Sequence, residues 1–371
     1  IPFFIFAGDL MIRGGIADRL IRFAASLVGH LRGGLGQVNI LASTFFGGVS
    51  GSAIADASAV GGIMIPQMAA RGYARDYAVN VTVNAAIIAL LLPPSHNMII
   101  YSIAAGGIVS VADLFTAGII PGLLLMAALM VTAWIVAVRR GYPAGVFPGV
   151  ATVLAYLLAA SPGIVLIAII FGGVRSGVFT ATESSCVALL YALAITVFAY
   201  RSLKWREFLE ATLAAVRTTA MVLLVIGCAS AFGWLMAFLQ VPQATISLMR
   251  AVSDNPIVIL LMINILLLIL GTFMDMAPMV IICTPIFLPV VTAFGVNPLQ
   301  FGIVLILNAG IIRRADAIDF TEADWDAVMD VNLKSAFFLT QAVARSMLAD
   351  GRGGKVINIA SLLSFQGGIR I

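Results

Sequence analysis

From Ala151 to Phe171 the chain runs through 21 residues without a charged side chain, and Ala211 to Gln240 continues for 30 with only Arg217. A helix needs about 20 predominantly apolar residues to cross the hydrocarbon core of a bilayer, so stretches of this length commit the chain to a membrane. Pro256 to Gly271 is equally apolar but shorter. Composition agrees, with 10% of the 371 residues charged, 61% hydrophobic and a mean hydropathy of +1.10, where a soluble globular chain is about a quarter charged. No water-soluble fold could cover that much apolar surface.

Charge is unevenly spread. Residues 1–312 carry 24 charged side chains, whereas the last 59 residues carry 14. The end of the chain therefore has the composition of an ordinary soluble domain. The net charge of +4 comes mostly from arginines in short loops, such as Arg71, Arg75, Arg139, Arg140 and the cluster Arg201, Lys204, Arg206. In a multi-pass chain such loops are those retained on the cytoplasmic side, and nothing in the pattern calls for nucleic acid. Cys186, Cys228 and Cys283 are far apart in apolar surroundings, without CxxC spacing, and imply neither disulfide nor metal. Ile1 falls inside an apolar run with no Met and no signal-peptide pattern, which reads as a missing N-terminus.

The apolar part is interrupted by Gly, Ser, Thr and Pro at what would be membrane depth. Irregular backbone survives there only where protein or a water-filled cavity satisfies its freed N–H and C=O groups, so broken helices and re-entrant hairpins are expected. Two segments share a skeleton: Gly51-Ser52-Ala53-Ile54-Ala55-Asp56 is followed by Pro66, and Gly271-Thr272-Phe273-Met274-Asp275 is followed at the same spacing by Pro285. Paired interrupted segments in two halves of a chain mark the binding site of many carriers.

An ionisable group at membrane depth is costly and is a candidate functional residue. Asp56 sits behind Ser50, Gly51 and Ser52, so that hydroxyls, exposed carbonyls and one carboxylate crowd together. That is the hard-oxygen set a small cation such as sodium requires, although small residues also let two helices pack closely. Gly271, Thr272 and Asp275 follow the same logic, making Ser52, Asp56, Thr272 and Asp275 the candidate sodium ligands. Pro93, Pro94 and Ser95 form another helix break, beside His96. Thr182 and Glu183 are a further candidate pair, with the alternative that Glu183 caps a helix begun at Thr180 or Thr182.

The run Ile1-Pro2-Phe3-Phe4 with Ala7-Gly8, then Gly33-Gly34-Leu35, Ser50-Gly51-Ser52-Ala53, Ala55-Asp56, Ile65-Pro66-Gln67-Met68, Gly72-Tyr73 and Pro93-Pro94-Ser95 closely resembles the large membrane subunit of tripartite ATP-independent periplasmic (TRAP) transporters. Gly172-Gly173 to Glu183, Gly271 to Asp275 and Phe301-Gly302-Ile303 extend the resemblance in order through residue 308. It implies an all-α polytopic protein of the bacterial inner membrane, an elevator-type carrier with inverted repeats and re-entrant hairpins. It further implies coupling of inward Na+ movement to uptake of a small organic anion such as a dicarboxylate or sugar acid, with a small membrane subunit and a periplasmic substrate-binding protein as partners. The family's helices before Ile1 and its Thr-Pro-Pro-x-Gly break after Asn308 are absent, which implies an incomplete site.

After Asn308 the apolar pattern gives way to Ile312-Arg313-Arg314-Ala315-Asp316. Thr321 to Asp324 reads as a helix start with an apolar stripe running to Leu348, and Lys355 to Ala360 reads as a short buried strand. This stretch resembles the short-chain dehydrogenases, within them the 2-deoxy-D-gluconate 3-dehydrogenases: Asn308-Ala309-Gly310 matches a family turn, and the resemblance carries the catalytic Asn to Asn332 and the catalytic Ser to Ser361. It implies a partial α/β Rossmann-like tail. Without a Gly-rich nucleotide loop or a Tyr-x-x-x-Lys, Asn332 and Ser361 are vestigial and no NAD binding or enzyme activity is expected. The alternative, an NAD-dependent dehydrogenase of sugar acids, would need both. The chain is thus expected to be a chimera, a transporter domain at 1–308 joined to a dehydrogenase fragment at 309–371.

Overall fold

The computed structural model describes residues 2–271 and 276–309. By its contacts the chain divides into Ile1–Ile312 and Arg313–Ile371; the second unit, and with it the expected Rossmann-like tail, lies outside the described residues. Fourteen α-helices follow one another in the described part: α1 (Pro2–Arg13), α2 (Ile16–Val28), α3 (Gly34–Ser50), α4 (Ala53–Ala70), α5 (Arg75–Ala86), α6 (His96–Ala104), α7 (Val111–Arg139), α8 (Val150–Arg175), α9 (Ala181–Ala194), α10 (Trp205–Phe238), α11 (Val241–Arg250), α12 (Pro256–Gly271), α13 (Met276–Ala293) and α14 (Pro298–Ala309). A 3₁₀ turn (Ile87–Leu90) extends α5 and a π turn (Ile195–Ala199) extends α9.

Among the described residues, six helical segments are long and apolar enough to cross a membrane: α4, α7, α8, Thr182–Ala199, α10 and α13. The apolar runs noted from sequence correspond to α8, α10 and α12, the last being a 16-residue helix, short of a full span. Burial separates an outer shell from an inner core. Only 6% of the most apolar window of α10 and 11% of that of α7 is buried, against 56% for α13. Leu124, Leu158, Leu213, Leu224 and Trp234 project outward, as they must where the solvent is hydrocarbon and every backbone group is already bonded within the helix. Inside, α3 is buried along nearly its whole length, packed against α2, α4, α5 and α7.

Contacts between turns show which helix ends lie together. Gly33 N–H donates to the Pro143 carbonyl (3.0 Å) and Ala74 N–H to the Tyr142 hydroxyl (3.1 Å). The α2–α3 turn, the α4–α5 turn and the α7–α8 loop therefore share one end. At the other end, Arg175 donates to Thr116 Oγ1 (3.0 Å) and the Tyr101 hydroxyl to the Pro298 carbonyl (2.6 Å). Ser202 Oγ donates to the Gly14 carbonyl (3.1 Å), returning the far end of α9 to the α1–α2 junction on the first side. Both ends of α2 are thus on that side. It is amphipathic, with Ile16, Leu20, Ile21 and Phe23 buried and Asp18 and Arg22 outward, the pattern of a helix running along a membrane face.

Candidate functional site

The break between α3 and α4 is made by two residues. Gly51 ends α3 with φ +60°, its N–H on the Gly47 carbonyl, and Ser52 begins α4 as its N-cap, the side chain accepting from Ala55 N–H at 3.4 Å. Gly tolerates this left-handed backbone because it lacks a Cβ, and Ser at the N-cap satisfies one of the four donors a helix start leaves open. The Ser50 hydroxyl accepts from Ser52 N–H at 3.4 Å. α3 and α4 then pack side by side.

The second break lies against the first. After the 3₁₀ turn, Pro93 and Pro94 stop the helix and Ser95 starts α6. His96 N–H donates to the Gly51 carbonyl (3.3 Å), and a Cβ built on Gly51 would fall on the Pro94 carbonyl oxygen. Ser50, Gly51, Ser52, Pro93 and Ser95, separated by some 40 residues of chain, are thereby brought to one place. The Ser95 hydroxyl is fully buried and has no hydrogen-bond partner among the described residues.

One turn into α4, Asp56 is 0% exposed and neither of its carboxylate oxygens has a partner among the described residues. The Ser43 hydroxyl of α3 lies beside it and makes no bond to any other group among the described residues. One turn away on α3, Asn39 donates to Thr82 Oγ1 (2.6 Å) and leaves its own Oδ1 unpaired. An unpaired buried polar group costs about 1–3 kcal/mol, more when charged. Asn39 and Ser43 were not singled out from sequence; the available signal was two small polar residues four apart on one helix, directly before the Gly51 break.

The remaining candidates are placed differently. Gly271 is buried at the end of α12, whereas Thr272 and Asp275, with Asn332 and Ser361, lie outside the described residues. The helix that follows, α13, packs on α6, so the second half approaches the element that begins at Ser95. Glu183 closes a capping box on α9, its Oε2 accepting from Thr180 N–H and Oγ1, both at 2.8 Å, and Thr182 beside it is exposed. That carboxylate serves the start of its own helix, and Thr180 rather than Thr182 is the N-cap. Neither Thr182 nor Glu183 joins the paired breaks.

Residues 1–313 match the family model described as the tripartite ATP-independent periplasmic transporter, DctM component, and residues 303–371 match that of short chain dehydrogenase. The sialic acid TRAP transporter large permease protein SiaM of Vibrio cholerae is 41% identical over 308 residues, covering 83% of this chain and 72% of the relative. The C4-dicarboxylate TRAP transporter large permease protein DctM of Pseudomonas aeruginosa is 38% identical over 311 residues (84% and 72%), and the 2,3-diketo-L-gulonate TRAP transporter large permease protein YiaN of Escherichia coli 35% over 311 residues (84% and 73%). With helices that can span a bilayer and a match over most of its length, this chain belongs to the DctM family of TRAP transporter large permeases, proteins of the inner membrane, and is joined at its end to a stretch of short-chain dehydrogenase sequence.

Proposed function

We propose that the transporter part of this chain performs sodium-coupled secondary uptake of a small organic anion across the inner membrane, with Asp56 as a residue of the cation site. The observation that carries this reading is the fully buried Asp56 carboxylate, with the Ser43 hydroxyl beside it and no cationic side chain paired to it among the described residues. A desolvated carboxylate persists at such a site by being neutralised, and hard, mostly uncharged oxygens around a single carboxylate suit a monovalent cation. The neighbouring breaks at Gly51 and Pro93-Pro94, with the Ser95 hydroxyl, supply further oxygens. Thr272 and Asp275 are the counterparts we propose in the second half, after Gly271.

The helix arrangement supports an inverted-repeat, elevator-type carrier. We take α3–α4 as a re-entrant hairpin entering from the side that carries Arg32, Arg71, Arg75, Arg139, Arg140, Arg201 and Lys204, and α12–α13 as its counterpart from the side of Arg175 and Arg250. The excess of basic residues supports a cytoplasmic location for the first side. Relatives are named for sialic acid, C4-dicarboxylates and 2,3-diketo-L-gulonate, all acids, which supports a dicarboxylate or sugar acid as the substrate class. A small membrane subunit and a periplasmic binding protein are the partners this reading requires.

In proteoliposomes containing the chain with both partners, accumulation of the labelled anion is expected under an inward sodium gradient and is expected to collapse when potassium replaces sodium. Uptake indifferent to the sodium gradient would sink the reading. For the end of the chain we propose no NAD chemistry. Residues 309–371 contain no Tyr and therefore no Tyr-x-x-x-Lys proton donor, and no glycine-rich phosphate cradle precedes the match. Titrating the purified chain with NADH is expected to leave nicotinamide fluorescence unchanged; saturable enhancement would overturn this.

A further inference from the structure

The α2–α3 turn, the α4–α5 turn and the α7–α8 loop are fastened together by aromatic and backbone contacts. Tyr142 lies tilted against Tyr73 at 4.3 Å between ring centroids and 5.2 Å from the ring of Tyr77, whose hydroxyl donates to the Ala133 carbonyl at 3.2 Å. Arg32 bridges to Ala144 through the backbone, and His30 meets Phe147 edge-on. This clasp collects the exposed Arg32, Arg71, Arg75, Arg139 and Arg140. Asp76 is the one carboxylate paired with any of them among the described residues, held by both terminal nitrogens of Arg140 at 3.0 and 3.2 Å. The Arg140 guanidinium keeps that carboxyl below its usual range, so the pair stays ionised at neutral pH.

The other basic cluster on this side is built differently. There Glu210 pairs with both Arg13 and Arg206, and Glu207 caps the helix start at Lys204. With five arginines to the one aspartate, the clasp thus carries a larger cationic excess than this cluster, where Arg13, Arg201, Lys204 and Arg206 face Glu207 and Glu210. It is also fringed by exposed apolar side chains: Val146 is 91% exposed and Phe147, against His30 on one edge, 48%, in the loop joining two spanning helices. Guanidinium groups are planar forks suited to phosphate oxygens, and exposed apolar side chains beside them at the end of spanning helices meet lipid rather than water.

We propose that this clasp binds the anionic headgroup of a phospholipid, the arginines taking its phosphate and Val146 and Phe147 lying against its acyl chains, so that a lipid fastens the base of the α3–α4 hairpin to the end of α7. The proposal stands whether or not the carrier moves sodium. Basic surfaces at the cytoplasmic ends of membrane helices gain about 1 kcal/mol per Lys or Arg from anionic lipid, a roughly fivefold effect for each side chain.

The test is titration of the full chain in detergent with phosphatidylglycerol, with phosphatidylcholine and with inorganic phosphate, read by native mass spectrometry. Phosphatidylglycerol is expected to bind at least about tenfold more tightly than phosphatidylcholine, and inorganic phosphate not to compete. Arg71→Gln/Arg75→Gln, and independently Arg32→Gln/Arg139→Gln on the neighbouring elements, are each expected to abolish that preference, while Arg201→Gln/Lys204→Gln retains it. Equal binding of the two lipids, equal loss in all three variants, or displacement by phosphate alone would each overturn the proposal. Having two clasp variants on separate elements keeps the test decisive if one of them does not fold.

Discussion

Asp56→Asn is expected to make the protein more stable in the absence of sodium and to erase its response to sodium. In the wild type the carboxylate is fully buried, with the Ser43 hydroxyl beside it and no cationic partner among the described residues, so without a bound cation it bears the cost of an undercompensated polar group. Asn has the same shape, carries no charge and offers N–H donors to the Ser43 hydroxyl beside it. Relief of about 1–3 kcal/mol is therefore anticipated for the sodium-free protein. A ligand at 100 times its Kd stabilises by about 2.7 kcal/mol, and this increment should vanish in the variant together with sodium-driven uptake. The measurement is thermal unfolding in sodium chloride against choline chloride at equal ionic strength. A variant that keeps the sodium-dependent rise in Tm would remove Asp56 from the cation site, and one that loses stability in choline would mean that the carboxylate is satisfied by its surroundings.

Gly51→Ala is the second large effect. At φ +60° an alanine costs about 1–2 kcal/mol, and its Cβ would have to displace the Pro94 carbonyl, backbone that cannot swing aside as a side chain tip can. Overpacking of this kind adds about 1–3 kcal/mol, so a total of about 2–5 kcal/mol and loss of transport are expected. Gly72→Ala is the matched control: its φ is +80°, yet nothing lies within 4 Å of an added Cβ, so only the backbone cost of about 1–2 kcal/mol remains. Unfolding temperatures of the two variants in the same detergent decide the matter. Similar losses would show that the meeting of the two breaks is not what makes Gly51 necessary.

The outward reading of this chain was already legible in its residues. Apolar runs such as Ala151 to Phe171 name a membrane helix without reference to any neighbour, because a helix satisfies its own backbone and the bilayer dictates its length. The breaks at Ser50-Gly51-Ser52 and Pro93-Pro94-Ser95 were equally visible, since proline and a positive-φ glycine stop helices through local geometry alone. Glu183 was legible only as two alternatives. The side chain can reach both the start of its own helix and a ligand, and the capping box formed with Thr180 shows what it does in this fold.

What sequence could not supply was distance. That the Gly51 carbonyl receives the His96 N–H, that Asp56 lies beside Ser43, and that five arginines from three separate connections surround one cluster of tyrosines depends on how helices α2 to α8 pack. Each of these pairs is separated by a dozen or more residues of chain, and lipid supplies no hydrophobic drive to choose among helix neighbours. The choice rests on close approach of small residues and on polar groups finding partners. Gly47, for which an added Cβ would press on Ala89 of the 3₁₀ turn, and Asn39, which bonds Thr82 across to α5, are where that choice is made. Residue types thus determined that this chain enters a membrane and where its helices break; only the packing of α3, α4, α5 and α6 decided which breaks face one another, because steric fit between helices exists nowhere in the linear order of side chains.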